Sequence, residues 1–281
     1  MDTATAKTEA LVHDMVSSMP AVYFKLREAL DNPSSTFKDF EDIIRKDPGL
    51  VVRLLKIVNS AFYGLSEQVE TISRALMIVG IEQLSELVLS TSIGEMFKGI
   101  PKELIDMKTF LRHSICCGMA AKIMADYKRM PNSEGFYTAG MLHDIGSLVI
   151  FKKRPNQARE VLLACKSQNA PLTEVEQKIL GFDHTQAGGA LLKAWKLPIL
   201  LQEAALWHHA PLRSTTHRPA VGIVHAADFV SYRMNGNTDS GIPYLTLNND
   251  VIAELGFSET YLSSLEQNLK KPFEAAVKAF L

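Results

Sequence analysis

The sequence is short of most features that classify a chain at sight. It has three cysteines in 281 residues; Cys116 and Cys117 are adjacent and Cys165 stands alone, so no disulfide framework can be drawn. Reduced thiols and a cytoplasmic location are the expectation. No apolar run approaches the roughly 20 residues that a membrane helix needs, and the first residues, MDTATAKTEALVHDM, lack the apolar core of a secretory signal. Thirty Lys and Arg against 31 Asp and Glu leave a net charge of −1 with no long basic run. That balance argues against a sequence-independent nucleic-acid binder, which needs a concentrated positive face. There is also no internal repeat, no low-complexity segment and no alternating apolar–polar stretch of convincing strand length. The composition, 47% hydrophobic and 22% charged, is that of an ordinary globular protein able to bury a sizeable core in one large domain or two small ones.

What is present is helical period. In LVVRLLKIVNSAF, Leu50, Leu54, Ile57, Val58 and Phe62 share a face. Asp47 is a candidate N-cap ahead of Pro48, which fits the first helical position because its missing N–H is no loss there. Gly64 ends that segment, Thr71 opens a short helix to Val79, Gly80 breaks it, and another runs from Ile81 to Met96. The character changes near Lys98–Lys102. Longer helices are expected after it, over Met107–Tyr127, over Glu134–Phe151, from His184, from Pro198 to the WHHA stretch, and from Pro219 to a stop at Gly236, with a final helix from about Ser258. The expected class is all-α. Met77, Met96, Met119, Met124 and Met141 fall at core-like positions, and Asn59-Ser60 reads as a capped helix end.

Those later helices carry most of the histidines. Of eight, five form a spaced series, His113, His143, His184 and the pair His208-His209, joined by Asp144 directly after His143 and by Asp228. Neutral imidazole nitrogens and carboxylate oxygens are natural ligands of first-row divalent metals. Seven such groups on separate helices suffice for two ions with one shared carboxylate, an arrangement that can activate water for attack on a phosphoester. An isolated His-Asp dipeptide carries little weight, because neighbours on a helix point about 100° apart. Gly140 and Gly146 flank the pair and would allow close approach. His225 shares a helix face with Asp228 and could support the site; His13 and His217 read as surface residues.

Two stretches resemble a known family. DPGLVVRLLKIVNSAFYGLSEQVETISRALMIVGIEQLSELVL, residues 47–89, is similar to the diagnostic segment of the HDOD domain, a helical output module of bacterial signalling proteins. AGMLHDIGSLVIF, LGFDHTQAGGALLKAWKLP and WHH resemble that family's second half and the wider HD superfamily of metal-dependent phosphohydrolases. The resemblance covers roughly residues 10–235. It implies an N-terminal helical lobe over 1–100 and an HD-like metal-site lobe with a C-terminal tail over 101–281. It also implies a ligand set: His113, His143, Asp144 and Asp228 on one metal, and Asp144 with His184, His208 and His209 on a second. The ions would be iron or manganese, with zinc or nickel also accepted by these ligands.

The implied function is a regulatory module acting on signalling proteins. The alternative is a phosphohydrolase of a phosphomonoester or nucleotide, with Asp144 as the candidate catalytic residue and a phosphorylated small molecule as partner; neither nucleic acid nor membrane is expected as a partner. Three positions depart from catalytic relatives. Ser147 follows HDIG where a phosphate-contacting Lys is usual, Ala210-Pro211 follow His209 where cyclic di-GMP phosphodiesterases have Glu, and Thr109 stands where trinuclear relatives carry a ligand. Lys152, Lys153, Arg213 and Arg218 are the cations that could replace the missing charge.

Overall fold

The computed structural model describes residues 3–60, 63–235 and 246–280. Phe62, the expected stop at Gly236 and residues 241–245 lie outside them. Every regular element among the described residues is a helix. The chain divides into two compact units, one of residues up to Ser17 with Phe97–Gln267 and one of Ser18–Met96 with Asn268–Leu281. The sequence reading cuts the chain once, after residue 100. The observed division returns both ends of the chain to the opposite unit, a long-range association that local patterning does not encode.

Helix α1 (Thr3–Val12) belongs to the larger unit and packs on the helix that begins at His184. The smaller unit holds α2 (Ala21–Asp31), α3 (Phe37–Arg45), α4 (Pro48–Val58), α5 (Ile72–Val79) and α6 (Ile81–Met96). The Asp47 carboxylate accepts from Leu50 N at 2.9 Å and starts α4 as expected. Leu50, Leu54, Ile57 and Val58 are all at most 1% exposed, so the predicted stripe is the buried one. Asn59 caps the end of α4 and its side-chain amide exchanges two 2.7 Å bonds with the backbone of Val69, fixing the following loop. Gly80, at φ 95, turns the chain by 112° between α5 and α6. No single helix among the described residues is long and apolar enough to cross a membrane. Met77 departs from expectation: it is 63% exposed. The buried face of α5 is Ile72, Ala75 and Leu76, and Met77, one residue on, is rotated about 100° away from Leu76. Met119, Met124 and Met141 are buried as expected, and Met96 is half-buried.

The larger unit continues with α7 (Met107–Tyr127), whose bounds are those read from the sequence. The single helix expected over Glu134–Phe151 is two, α8 (Ser133–Leu142) and α9 (Ile145–Lys153). His143 is still helical at φ −53, ψ −39, but Asp144 departs to φ −97, ψ 11 and becomes the N-cap residue of α9. The apolar period runs through the break, so it is invisible to a hydrophobic pattern. Then follow α10 (Pro155–Gln168), α11 (Leu172–Leu180), α12 (His184–Ala194), α13 (Ile199–Trp207), α14 (Arg218–Met234) and α15 (Asn249–Leu255). The last helix, α16 (Glu259–Phe280), begins in the larger unit and ends in the smaller.

Two glycine contacts set the spacing that matters. A Cβ on Gly140 of α8 would lie 2.7 Å from Gly118 Cα of α7, and one on Gly146 of α9 would lie 1.9 Å from His184 O of α12. Both helix pairs therefore touch backbone to backbone, closer than any side chain permits.

Candidate metal centre

All seven residues of the His/Asp series come together within the larger unit. Their ligating atoms form two groups, Asp144 with His184, His208 and His209, and His113 with His143 and Asp228, each with its atoms within 4.8 Å of one another. The break between α8 and α9 is what allows this, since it frees Asp144 from the helical 100° step after His143. His143 Nε2 lies 3.4 Å from Asp144 Oδ2 and 3.4 Å from Asp228 Oδ1, and His113 Nε2 is 3.0 Å from the same Asp228 oxygen. On the other side, Asp144 Oδ1 is 3.5 Å from His184 Nε2 and 3.4 Å from His208 Nε2. The two oxygens of Asp144 thus face the two groups separately, the placement of a bridging carboxylate.

The elements that deliver these side chains are closely packed. The α7–α8 contact at Gly118 and Gly140 brings His113 to His143, and the α9–α12 contact at Gly146 brings His184 to Asp144. Asp183 caps α12 through Gln186 N at 3.0 Å and Gln186 returns a bond to Asp183 N, so His184 is the first residue of a firmly started helix. His208 and His209 follow the last turn of α13, and Asp228 lies inside α14.

Four of the five imidazoles are held by their Nδ1. His143 Nδ1 is 2.7 Å from Gly140 O, His208 Nδ1 is 3.0 Å from Ala205 O, and His184 Nδ1 is 2.7 Å from Glu176 Oε2. Carbonyl and carboxylate oxygens only accept, so each of these nitrogens carries its proton. Ser231 donates its hydroxyl proton to His113 O at 2.8 Å, which leaves its oxygen to accept from His113 Nδ1 at 3.0 Å. In the neutral rings Nε2 is therefore a bare lone pair aimed into the cluster, the orientation seen in metal-ligating histidines.

The converging ring nitrogens lie within 3.1–3.3 Å of one another. His113 Nε2 and His143 Nε2 stand 3.3 Å apart, and His184 Nε2 and His209 Nε2 stand 3.1 Å apart. His208 Nε2 and Asp228 Oδ1 are buried without a hydrogen bond. Ligands about 2.1 Å from a shared ion lie about 3.0–3.4 Å from one another in octahedral or tetrahedral arrangements, so these separations are those of coordination edges. The electrostatics agree. Burial opposes charge on His143, yet Asp144 beside it lifts that ring well above the usual range; burial likewise opposes charge on His184, but Glu176 and Asp144 push it up to about 9. Asp144 and Asp228, against their enclosure, are held well below the carboxylate range chiefly by His143. The cluster is one that attracts positive charge, as protons or as metal.

Glu176, Ser231 and His225 complete the surroundings. Glu176 on α11 is 1% exposed and also accepts from His184 N at 2.9 Å. Nothing in sequence separates it from the other acidic residues except its eventual contact, eight positions from His184. His225 donates from Nδ1 to His208 O at 2.7 Å and accepts from Asn248 N at 2.9 Å, so it supports the backbone that carries the His208-His209 pair. His13 is exposed as expected, whereas His217 is half-buried. Thr109 bonds Asp106 at the start of α7. Ser147 is 7% exposed on α9. Among the four candidate cations, Lys153 pairs with Asp14, Arg218 bonds Glu254 at 3.0 Å and Lys152 lies 5.7 Å over the Phe97 ring.

Comparison with known proteins places the chain. The sequence model of the HDOD domain matches residues 16–211. A curated relative, an uncharacterized protein of Treponema pallidum (strain Nichols), is 26% identical over 98% of this chain, which spans about half (53%) of that relative's length. An HDOD domain protein of unknown function from Geobacter sulfurreducens superposes with a TM-score of 0.76 at 21% identity, over 97% of this chain and 98% of its own. A Shewanella amazonensis SB2B protein named as a candidate phosphohydrolase superposes at 0.74, 21% identity and the same coverage. A Marinobacter aquaeolei VT8 protein named as a candidate signal transduction protein gives 0.74 at 17% identity, over 98% of this chain and 66% of its own. At these identities the structural likenesses establish the fold.

Proposed function

Because this chain belongs to the HDOD family, we propose that it is a signal-transduction module built around a two-metal centre and that its partners are other signalling proteins. His113, His143, Asp144 and Asp228 would hold the first ion, and Asp144, His184, His208 and His209 would hold the second. The observation that carries this reading is the set of Nδ1 anchors, which turn the Nε2 atoms of four rings toward the two aspartates. Iron or manganese suits the mixed nitrogen–oxygen set, and zinc or nickel would also be accepted. When bound, such a pair supplies electrophilic charge and a water of lowered pKa.

The residues of the chain supply the rest. Glu176 fixes the tautomer and tilt of His184, Ser231 those of His113, and His225 the backbone behind His208. These contacts hold the ring nitrogens in place before any ion arrives, and metal uptake must then displace the protons retained by His143 and His184. A change in occupancy would thereby reach α11, α14 and the Asn248 segment through hydrogen bonds, which is the coupling that a regulatory module requires.

Elemental analysis of untagged protein purified without chelator tests the reading. About two equivalents of transition metal per chain are expected. No metal, even after incubation with Mn²⁺ or Fe²⁺, would refute it. A second reading, metal-dependent phosphohydrolysis, is favoured by access: the side chains of Asp144 and His113 are 24% and 19% exposed, so a solute can reach the centre. Its assay is hydrolysis of an aryl phosphate with Mn²⁺, and an Asp144→Ala protein as active as wild type would exclude this site.

A further inference from the structure

A groove of about 280 Å³ opens within the larger unit between α10 and the turn that leads into α7. Its walls are apolar, Leu162 and Leu163 of α10 on one side and Leu104 and Ile105 of the turn on the other. The sequence of α10 accounts for its side. Ala158, Val161 and Cys165 form the buried seam of that helix. Arg159, Leu162, Leu163 and Lys166, at i, i+3, i+4 and i+7, form a second stripe, and this one lines the groove. Leu163 is 63% exposed there. A lone surface leucine needs no explanation; two leucines set across a concavity from two further aliphatic side chains do.

The rim is charged, and its acidic groups are already engaged. Glu103 accepts from Arg159 Nη2 at 2.8 Å. Asp106 caps α7, accepting from Lys108 N at 3.1 Å and from Thr109 Oγ1 at 3.0 Å. Lys102 and Lys166 are exposed and pair with no described residue. The Glu103–Arg159 contact pins the turn to one end of the stripe, and Lys102 is the next residue to Glu103. Lys166 stands at the other end, two turns or about 10 Å along α10 from Arg159. A free cation therefore lies toward each end of an apolar groove.

We infer that this groove is the docking site for an amphipathic helix of a partner protein, with an aliphatic ridge for the four apolar side chains and a carboxylate toward each end for Lys102 and Lys166. The inference rests on the regulatory-module reading, to whose partners it gives a chemistry. A helix laid into a groove is held by such ridge residues, while the rim charges select the sign of its flanks. The groove also adjoins elements that serve the metal centre. Asp106 starts α7, on which His113 lies about 10 Å further along, and α10 packs on α11, which carries Glu176. A helix seated in the groove touches the start of the first and the neighbour of the second.

The test is fluorescence anisotropy of a labelled peptide helix, leucines along one face and glutamates flanking them, titrated with the full chain. A twin peptide carries lysine in place of every glutamate. Saturable binding of the acidic peptide is expected, at least about tenfold tighter than that of the twin. Leu163→Asp should weaken it at least about tenfold and leave the melt unchanged, since that side chain is already in solvent. Lys102→Glu combined with Lys166→Glu should reverse the preference between the peptides, and Lys38→Glu on α3 should change nothing. Wild-type protein that binds both peptides equally or neither, or a Leu163→Asp protein that binds the acidic one like wild type, would overturn the docking site. A dimer in light scattering that Leu163→Asp dissociates would overturn it too, by assigning the groove to a second copy of the chain. Metal content measured on the same samples keeps the two readings apart. Full metal without a peptide preference removes the groove and leaves the centre, whereas protein without metal removes the centre whatever the anisotropy gives.

Discussion

Replacing Gly146 by alanine should separate the two halves of the metal centre. The added Cβ would stand 1.9 Å from His184 O and 2.5 Å from Gly188 N, against a floor near 3.0 Å for real contacts. Both obstacles are backbone of α12, so no side chain can swing aside and α12 must recede from α9 by at least 1.1 Å. Metal–ligand distances tolerate only about ±0.2 Å. A recession of this size takes His184 away from Asp144 Oδ1, from which its Nε2 now lies 3.5 Å. His113, His143 and Asp228 sit on α7, the end of α8 and α14, outside the displaced pair. We therefore expect metal content to fall from about two equivalents to about one. Overpacking should cost about 1–3 kcal/mol, lowering the melting temperature by about 2–4 °C for each kcal/mol in a unit of this size. Elemental analysis and a thermal melt on the same preparation read both effects. Gly49→Ala is the control, since its new methyl group would come no nearer than 3.3 Å to the Asp47 carboxylate oxygen. A Gly146→Ala protein with full metal and an unchanged melt would refute the close-contact argument.

Other outcomes follow from the same geometry. Glu176→Gln keeps an acceptor for His184 but removes its charge, and should weaken the second ion about 10- to 100-fold in a chelator competition while leaving the first in place; equal loss of both would contradict the assignment of Glu176 to one side. Stripping the metal should lower stability by about 2.7 kcal/mol relative to protein at a hundredfold excess over Kd, seen as a lower melting temperature that Mn²⁺ restores, and a melt indifferent to chelator would count against bound metal. Burial pushes the Cys116 thiol up to about 12 and also raises Cys117, so at pH 8 the thiolate that reacts is scarce. A disulfide reagent should find no fast thiol in the native protein and three after unfolding; a fast native reaction would contradict the burial of the adjacent pair.

Sequence alone was enough for the helices whose boundaries are written in local chemistry. Asp47-Pro48, Thr71 and Gly80 are caps and breaks with their own physical causes, and α4 to α6 lie where those residues put them. It also singled out the seven His and Asp side chains, because ligand chemistry is a property of residue type and the resemblance ordered them. Other features exist only in three dimensions. The break at Asp144 interrupts an apolar period that reads as continuous, and it decides that His143 and Asp144 serve one cluster. Met77 is apolar and correctly spaced for a helix, yet its rotation about α5 leaves it in solvent. Glu176 and Ser231 depend on contacts between residues 8 and 118 positions apart, as Glu176 meets His184 and Ser231 meets His113. Local sequence fixes which groups a chain carries and where its helices begin. Which nitrogen keeps its proton is settled only when the helices close on one another.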